Sequence, residues 1–369
     1  MTNTLKNRDS SLDLIRIEAS FFLVAYHFFL YAGFYRTDLS GPSALPVYGL
    51  YHIVSICIPL FMLLTGYLMN QKKLSLSYYA GISRTLVTYV LASILTLVFR
   101  RLQGEHIPLP WFLLNILNFS GSPYSWYIEM YIGLFLLIPF LNMLYHAAEE
   151  EHKENWLLLT MIILTALPST LNILRVSRSQ FIQTLLTVNG DQKLLPAYWI
   201  PMYPVTYYFL GCWLSRHQPK IRSSILLALL FCHILLMSGF SYLRNAGAAY
   251  EGDAGWQVYS SLSSMISTAL IFLIGKNINT AAWHPKLKLV LKYVSGLCLG
   301  IYLLSWITDS LIYPRVINRS ETMLSLFVWQ LPVSLVIFVS SGVLSACIEL
   351  CQRCLFRLFH LVFRNQLKS

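Results

Sequence analysis

Charge is what this sequence has least of. Of 369 residues only 12% are Asp, Glu, Lys or Arg, about half of the ~25% usual in a soluble domain. A soluble chain of this length needs charge to cover its surface, so the shortage excludes an ordinary soluble globule. Acids are the scarcer sign, 16 against 27 Lys and Arg. The chain has no Walker-type phosphate loop, no His-Glu-x-x-His helix, no internal repeat, no low-complexity tract and no segment that reads as a soluble catalytic domain. Seven cysteines are present, Cys57, Cys212, Cys232, Cys298, Cys347, Cys351 and Cys354. They show no disulfide framework. The lone C-x-x-C at Cys351 and Cys354 lacks the second pair or histidines that a metal site needs, so these read as small packing residues.

What fills the chain instead is apolar: 56% of residues are hydrophobic and 14% aromatic. Stretches long enough to cross a bilayer, ~20 residues, fall at 13–34, 48–69, 82–100, 124–145, 156–174, 198–215, 223–243, 258–275, 293–313 and 324–348. The apolar stretch 110–119 is too short and reads as an interfacial or re-entrant piece. The expectation is an all-α integral membrane protein, a bundle of about ten transmembrane helices with both termini cytosolic. That placement puts eighteen Lys and Arg inside and nine outside, as the positive-inside rule requires. The acidic loop 146–155 dissents, but acids weigh little in that rule. The expected organisation is a cytosolic segment 1–12, a membrane domain 13–348 and a cytosolic amphipathic tail 349–369, whose bases alternate with Leu and Phe as on an inner-leaflet helix. Lys6 and Arg8 before an apolar run resemble a signal sequence, but Asp13, Arg16 and Glu18 interrupt it, so the first helix is read as retained. The net charge of +11 belongs to loops between spans. No basic run has the aromatic interleaving of a nucleic-acid groove, and no nucleic-acid partner is expected.

Ionisable groups inside a bilayer are costly, so each is a functional candidate. They are Asp13, Arg16, Glu18, His27, His52, Glu129, His233 and Asp309. Arg16 and His27 are eleven residues apart. On a helix that is about 1,100°, three turns plus roughly 20°, so they share a face about 16 Å apart along the axis. A guanidinium at a membrane mouth can hold phosphates, and an imidazole deeper in can take a proton near neutral pH. Asp13, one turn before Arg16, can pair with it; Glu18 faces away. Glu129, near the outer end of the fourth span, could orient an imidazole or bind an acceptor sugar. Ser305 and Asp309 share a face of the ninth span and with His27 supply the residue types of a Ser/His/Asp set, without the strand–turn elbow such a set uses. His52 and His233 read as packing residues. Gly296 and Gly300 form a G-x-x-x-G, a helix-packing pattern.

LDLIRIEASFFLVAYHFF, with ten residues between its Arg and its His, resembles the first helix of the membrane acyltransferase-3 family. IPLFMLLTGYLM (58–69), YYAGISRTLVTYV (78–90), SWYIEMYIGLFLLIPFLN, YFLGCWLSR (208–216) and LGIYLLSW (299–306) resemble further family segments in order, over roughly 10–340. The resemblance implies about ten transmembrane helices, with acyl-CoA, usually acetyl-CoA, as co-substrate rather than a tightly bound cofactor. It implies a hydroxyl of a cell-envelope glycan as acceptor and the bacterial plasma membrane as location. It makes His27 the catalytic base and Arg16 a donor-side residue, and it matches Arg84 to the second Arg of a basic loop that contacts the donor phosphates. Gly81 stands where the first Arg of that loop would be, Ser305 and Ser125 where the family often has His. The expected function is O-acyl transfer across the membrane to an envelope glycan, with Glu129 on the acceptor side; the rival is a transporter or flippase of a polysaccharide or lipid-linked sugar.

Overall fold

The computed structural model describes residues 9–36, 39, 41–173, 193–245, 258–317 and 322–366, with side chains described as far as Arg357. Arg175, Arg178 and Arg319 of the outer-side bases, Lys6 and Arg8 of the segment 1–12, and Lys368 of the tail lie outside the described residues. The described residues are helical and contain no strand. Eight helical segments among them are long and apolar enough to cross a bilayer. The chain is a multi-pass membrane protein.

Helix α1 is Ser10–Tyr31, started by Asp9, whose carboxylate accepts from the Ser11 backbone N–H at 3.0 Å and so satisfies one of the free donors of the first turn. Burial alone would raise the Asp9 carboxyl, but hydrogen bonds from Lys276 and Ser11 outweigh it and hold it below the usual aspartate value. The second span is broken into α2, Ala44–Val54, and α3, Cys57–Met69. Next come α4, Leu76–Ala80, and α5, Ser83–Leu102. The short apolar piece is α6, Leu109–Leu117, nine residues with none buried.

Helix α7 is Trp126–Glu150 and carries Pro139 inside it. A proline has no N–H for the carbonyl four residues back, here that of Phe135. Tyr78 donates its hydroxyl to that carbonyl at 2.6 Å and stacks on the Phe135 ring. In lipid a freed carbonyl must find such a partner.

The fifth segment is α8, Glu154–Leu164, and α9, Ala166–Leu171. Then come α10, Tyr203–His217, α11, Ser223–Arg244, and α12, Leu262–Lys276. Helices α10 and α12 stand where two of the ten spans were expected but have 15 residues each, about 22 Å of helix. A 3-10 turn at Ile200–Met202 and two prolines, Pro201 and Pro204, delay the start of α10. The last helices are α13, Pro285–Val316, the short α14, Met323–Leu326, and α15, Gln330–Gln366. Helix α15 runs through residue 349 without a break, so the tail continues the last span as one helix.

Close approach of α3 and α10 depends on two glycines. A Cβ on Gly66 would lie 2.0 Å from the Tyr208 carbonyl oxygen, and one on Gly211 would lie 2.1 Å from that of Leu63. Along α13 the expected glycine pair divides its labour. A Cβ on Gly300 would meet Ser345 Oγ of α15 at 2.2 Å, whereas Gly296 faces open space and lines a cavity.

The acidic loop 146–155 sits against basic partners. Glu149 pairs with Arg216 and with His146, and Glu154 lies 3.5 Å from His217. His146 Nε2 also lies 2.8 Å from the Asn70 carbonyl. The loops after α3 and α7 and the end of α10 therefore meet at one end of the bundle, where Glu149 and Glu154 of the acidic loop face basic partners. His52 bonds Ser241 and His233 lies 3.2 Å from Ser263, contacts that tie α2, α11 and α12 together. Cys347, Cys351 and Cys354 are exposed along α15.

Candidate active site

Helix α1 is unbroken from Ser10 to Tyr31, so Arg16 and His27 share a face as their spacing requires. Both meet α13, Arg16 at Ser295 and His27 at Asp309. The two helices thus run side by side in the same direction, and the two ends of their seam are built differently.

At the Arg16 end lies a cavity of about 460 Å³. Arg16 Nη1 donates to Ser295 Oγ at 3.0 Å and lies 3.9 Å from Asp13 Oδ1. Arg84, at the start of α5, lines the same cavity. The two arginines expected to face the donor are brought together from different spans. Arg84 Nη2 donates to Glu349 Oε1 at 3.2 Å, and Arg353 donates to the same oxygen at 2.8 Å. Gln352 holds the Arg84 backbone through a bond to its carbonyl. The cavity runs inward between apolar walls that include Phe61, Tyr127 and Tyr302, and reaches Leu23, one turn before His27.

At the His27 end the seam is closed. His27 is 5% and Asp309 0% exposed. His27 Nδ1 lies 3.0 Å from Asp309 Oδ2. Tyr124 donates to the same carboxylate oxygen at 2.8 Å, and its ring lies over the imidazole with centroids 4.0 Å apart. Tyr31 reaches the Tyr124 hydroxyl at 3.3 Å and stacks on Tyr313, one turn after Asp309. Tyr302 donates to the Tyr124 carbonyl, which fixes the turn before α7 against α13. A carboxylate on one imidazole nitrogen sets the tautomer and orientation and leaves the other nitrogen for a proton. Among the described residues no group of His, Cys, Asp and Glu is arranged to hold a metal ion.

Other expected residues stand elsewhere. Ser305 is buried, and its hydroxyl donates to the Tyr302 carbonyl of its own helix at 2.8 Å rather than to His27. The structure does not bring Glu129 to this cluster. Its side chain is exposed, about 150° round α7 from the Tyr127, Ile128 and Tyr131 face that lines the cavity. Glu18 is two residues from Arg16 and turns away from the seam. Tyr124, Tyr31 and Glu349 were not singled out by the sequence. Asp309 was, as an acid in an apolar span, but its partner lies 282 positions away in the chain and no spacing rule could supply it.

The sequence model of one protein family, described as an acyltransferase domain and known as acyltransferase-3, matches residues 9–348. That is nearly the whole chain, so the chain belongs to this family and is an acyltransferase. No curated protein and no solved structure matches it significantly.

Proposed function

We propose that this member of the acyltransferase-3 family is a membrane O-acyltransferase of a bacterial plasma membrane. It passes an acyl group, acetyl in the simplest case, from cytosolic acyl-CoA to a hydroxyl of an extracytoplasmic cell-envelope glycan. Both termini are cytosolic in this reading, so the Arg16 cavity opens to the cytosol. The observation that carries the reading is the buried His27–Asp309 pair, placed one turn beyond the inner end of a cavity whose mouth holds Arg16 and Arg84.

Acyl-CoA serves as co-substrate, its phosphates toward the mouth and its thioester toward Leu23. Asp309 holds His27 through Nδ1, leaving Nε2 to take the acceptor's hydroxyl proton. As that proton leaves, the oxygen attacks the thioester carbonyl, the C–S bond breaks and coenzyme A departs as its thiolate. Asp309 stabilises the imidazolium that forms, as a buried carboxylate does for a general base. With Ser305 bonded to its own helix, direct transfer needs no acyl-enzyme. Glu129, exposed on the far face of α7, is assigned no step.

The test uses membranes carrying intact protein or His27→Ala, supplied with radiolabelled acetyl-CoA and envelope glycan. Label enters glycan with intact protein and not with the variant at equal expression. Equal label in both would remove His27 as the base.

A further inference from the structure

A second cavity, of about 500 Å³, lies beside the first. The two share Met69 and Tyr131 in their walls, so they adjoin at that point. The second is lined by Lys72, Lys73 and Ser75 from the loop after α3, by Gly81 after α4, and by no acidic residue.

The balance of charge differs between the two. In the first cavity each arginine already has a partner: Arg84 shares Glu349 with Arg353, and Arg16 has Ser295 and, further off, Asp13. Among the described residues neither Lys72 nor Lys73 forms an ion pair. Among the described Lys and Arg that line the two cavities, these two lysines are the ones without an ion pair.

The loop that carries them is fixed from outside. Asn142 of α7 donates its side-chain amide to the carbonyls of Met69 and Lys72, both at 2.8 Å. Tyr208 of α10 donates to the Asn142 side-chain oxygen at 2.6 Å and so orients that amide. His146 holds the Asn70 carbonyl. Two side chains of α7 pin the backbone that presents Lys72 and Lys73, and Tyr208 of α10 orients one of them.

Resting on the donor reading above, we infer that the Lys72–Lys73 cavity seats the phosphate-bearing nucleotide end of the donor. The pantetheine arm then passes Met69 and Tyr131 into the first cavity, toward Leu23 and His27. A lysine ammonium is a mobile point charge suited to phosphate, and the apolar first cavity suits the arm.

The experiment measures binding of coenzyme A and of pantetheine to the full chain in phosphatidylcholine nanodiscs, for the intact protein, K72Q/K73Q and K72R/K73R. The double glutamine variant is expected to bind coenzyme A about tenfold more weakly than intact protein, with pantetheine binding unchanged. Its coenzyme A affinity should also depend less on salt. The arginine variant should keep coenzyme A within about twofold, showing that charge and not folding is at issue. Equal coenzyme A affinity in intact and K72Q/K73Q protein overturns this inference and leaves the donor reading standing. No binding of coenzyme A or pantetheine to intact protein overturns both. In a parallel measurement of phosphatidylglycerol co-purified with each protein from membranes, loss of that lipid in K72Q/K73Q with coenzyme A affinity unchanged assigns the lysines to lipid headgroups and overturns the inference as well.

Discussion

The two ends of the α1–α13 seam use ionisable groups in opposite ways. At the Arg16 end the groups line an open cavity, and Arg16 is 30% and Arg84 64% exposed at the side chain. At the His27 end an imidazole and a carboxylate are closed in by tyrosines, with almost no exposure. Groups that recognise a charged ligand must be reachable from water, while groups that move a proton work best where water is excluded and their orientation is fixed. One helix face, about 16 Å long, carries both because its register brings Arg16 and His27 to the same side.

If the ends divide the work in this way, substitutions at the closed end remove turnover and spare donor binding. Removing a general base costs ~10²–10⁴ in rate, so His27→Ala should lower kcat into that range with the acetyl-CoA Kd within about twofold of intact protein. Asp309→Asn should lower kcat by about 10² or more, since the imidazole loses both its orienting partner and the charge that stabilises the imidazolium. A matched loss of donor binding, read by calorimetry, would break the division.

At the open end the pattern reverses. Arg16→Gln should raise the donor KM about tenfold, through loss of a partly exposed guanidinium that hydrogen-bonds the donor in the first cavity, and change kcat little. Glu349→Gln sharpens the point. It releases Arg84 and Arg353 from their shared acid and should tighten donor binding about threefold. Weaker binding in that variant would mean that Arg84 needs Glu349 to be held in place.

Packing changes should touch both ends alike. Gly211→Ala sets a methyl against the Leu63 carbonyl, an overpacking that costs about 1–3 kcal/mol and should lower the Tm in detergent. Gly296→Ala meets nothing within 4 Å and should leave Tm unchanged. The smallest effect is expected at the membrane edge. The lowered Asp9 carboxyl contributes stability that is fully present above the usual aspartate value. It is lost as pH falls through the lowered one, and Lys276→Ala should flatten that part of a pH–stability curve.

The sequence carried more of the open end than of the closed one. Arg16 and His27 were legible because both lie on one uninterrupted apolar helix, where angular arithmetic needs no tertiary contact. Arg84 came from the resemblance of its loop. Glu349 did not, because an acid near a helix end in a basic segment looks like any interfacial residue. The closed end was half legible: Asp309 stood out as a carboxylate in lipid and was grouped with His27 by residue type alone, while the third member of that set, Ser305, bonds its own helix. Glu129 drew notice for the same reason as Asp309, but its helix turns it outward, a fact fixed by how α7 packs and not by its composition. The span count shows a further limit, since prolines at 201 and 204 shorten α10 below what its apolar run suggests.

The most direct measurement compares His27→Gln and Arg16→Gln in one preparation, each followed for acetyl-CoA affinity and for label transferred to glycan at saturating donor. His27→Gln should bind acetyl-CoA as the intact protein does and transfer nothing above background, while Arg16→Gln should bind weakly and recover most of its turnover at saturation. Transfer by His27→Gln at half the intact rate or more would contradict the account, because the closed end of the seam would then have no part in the chemistry.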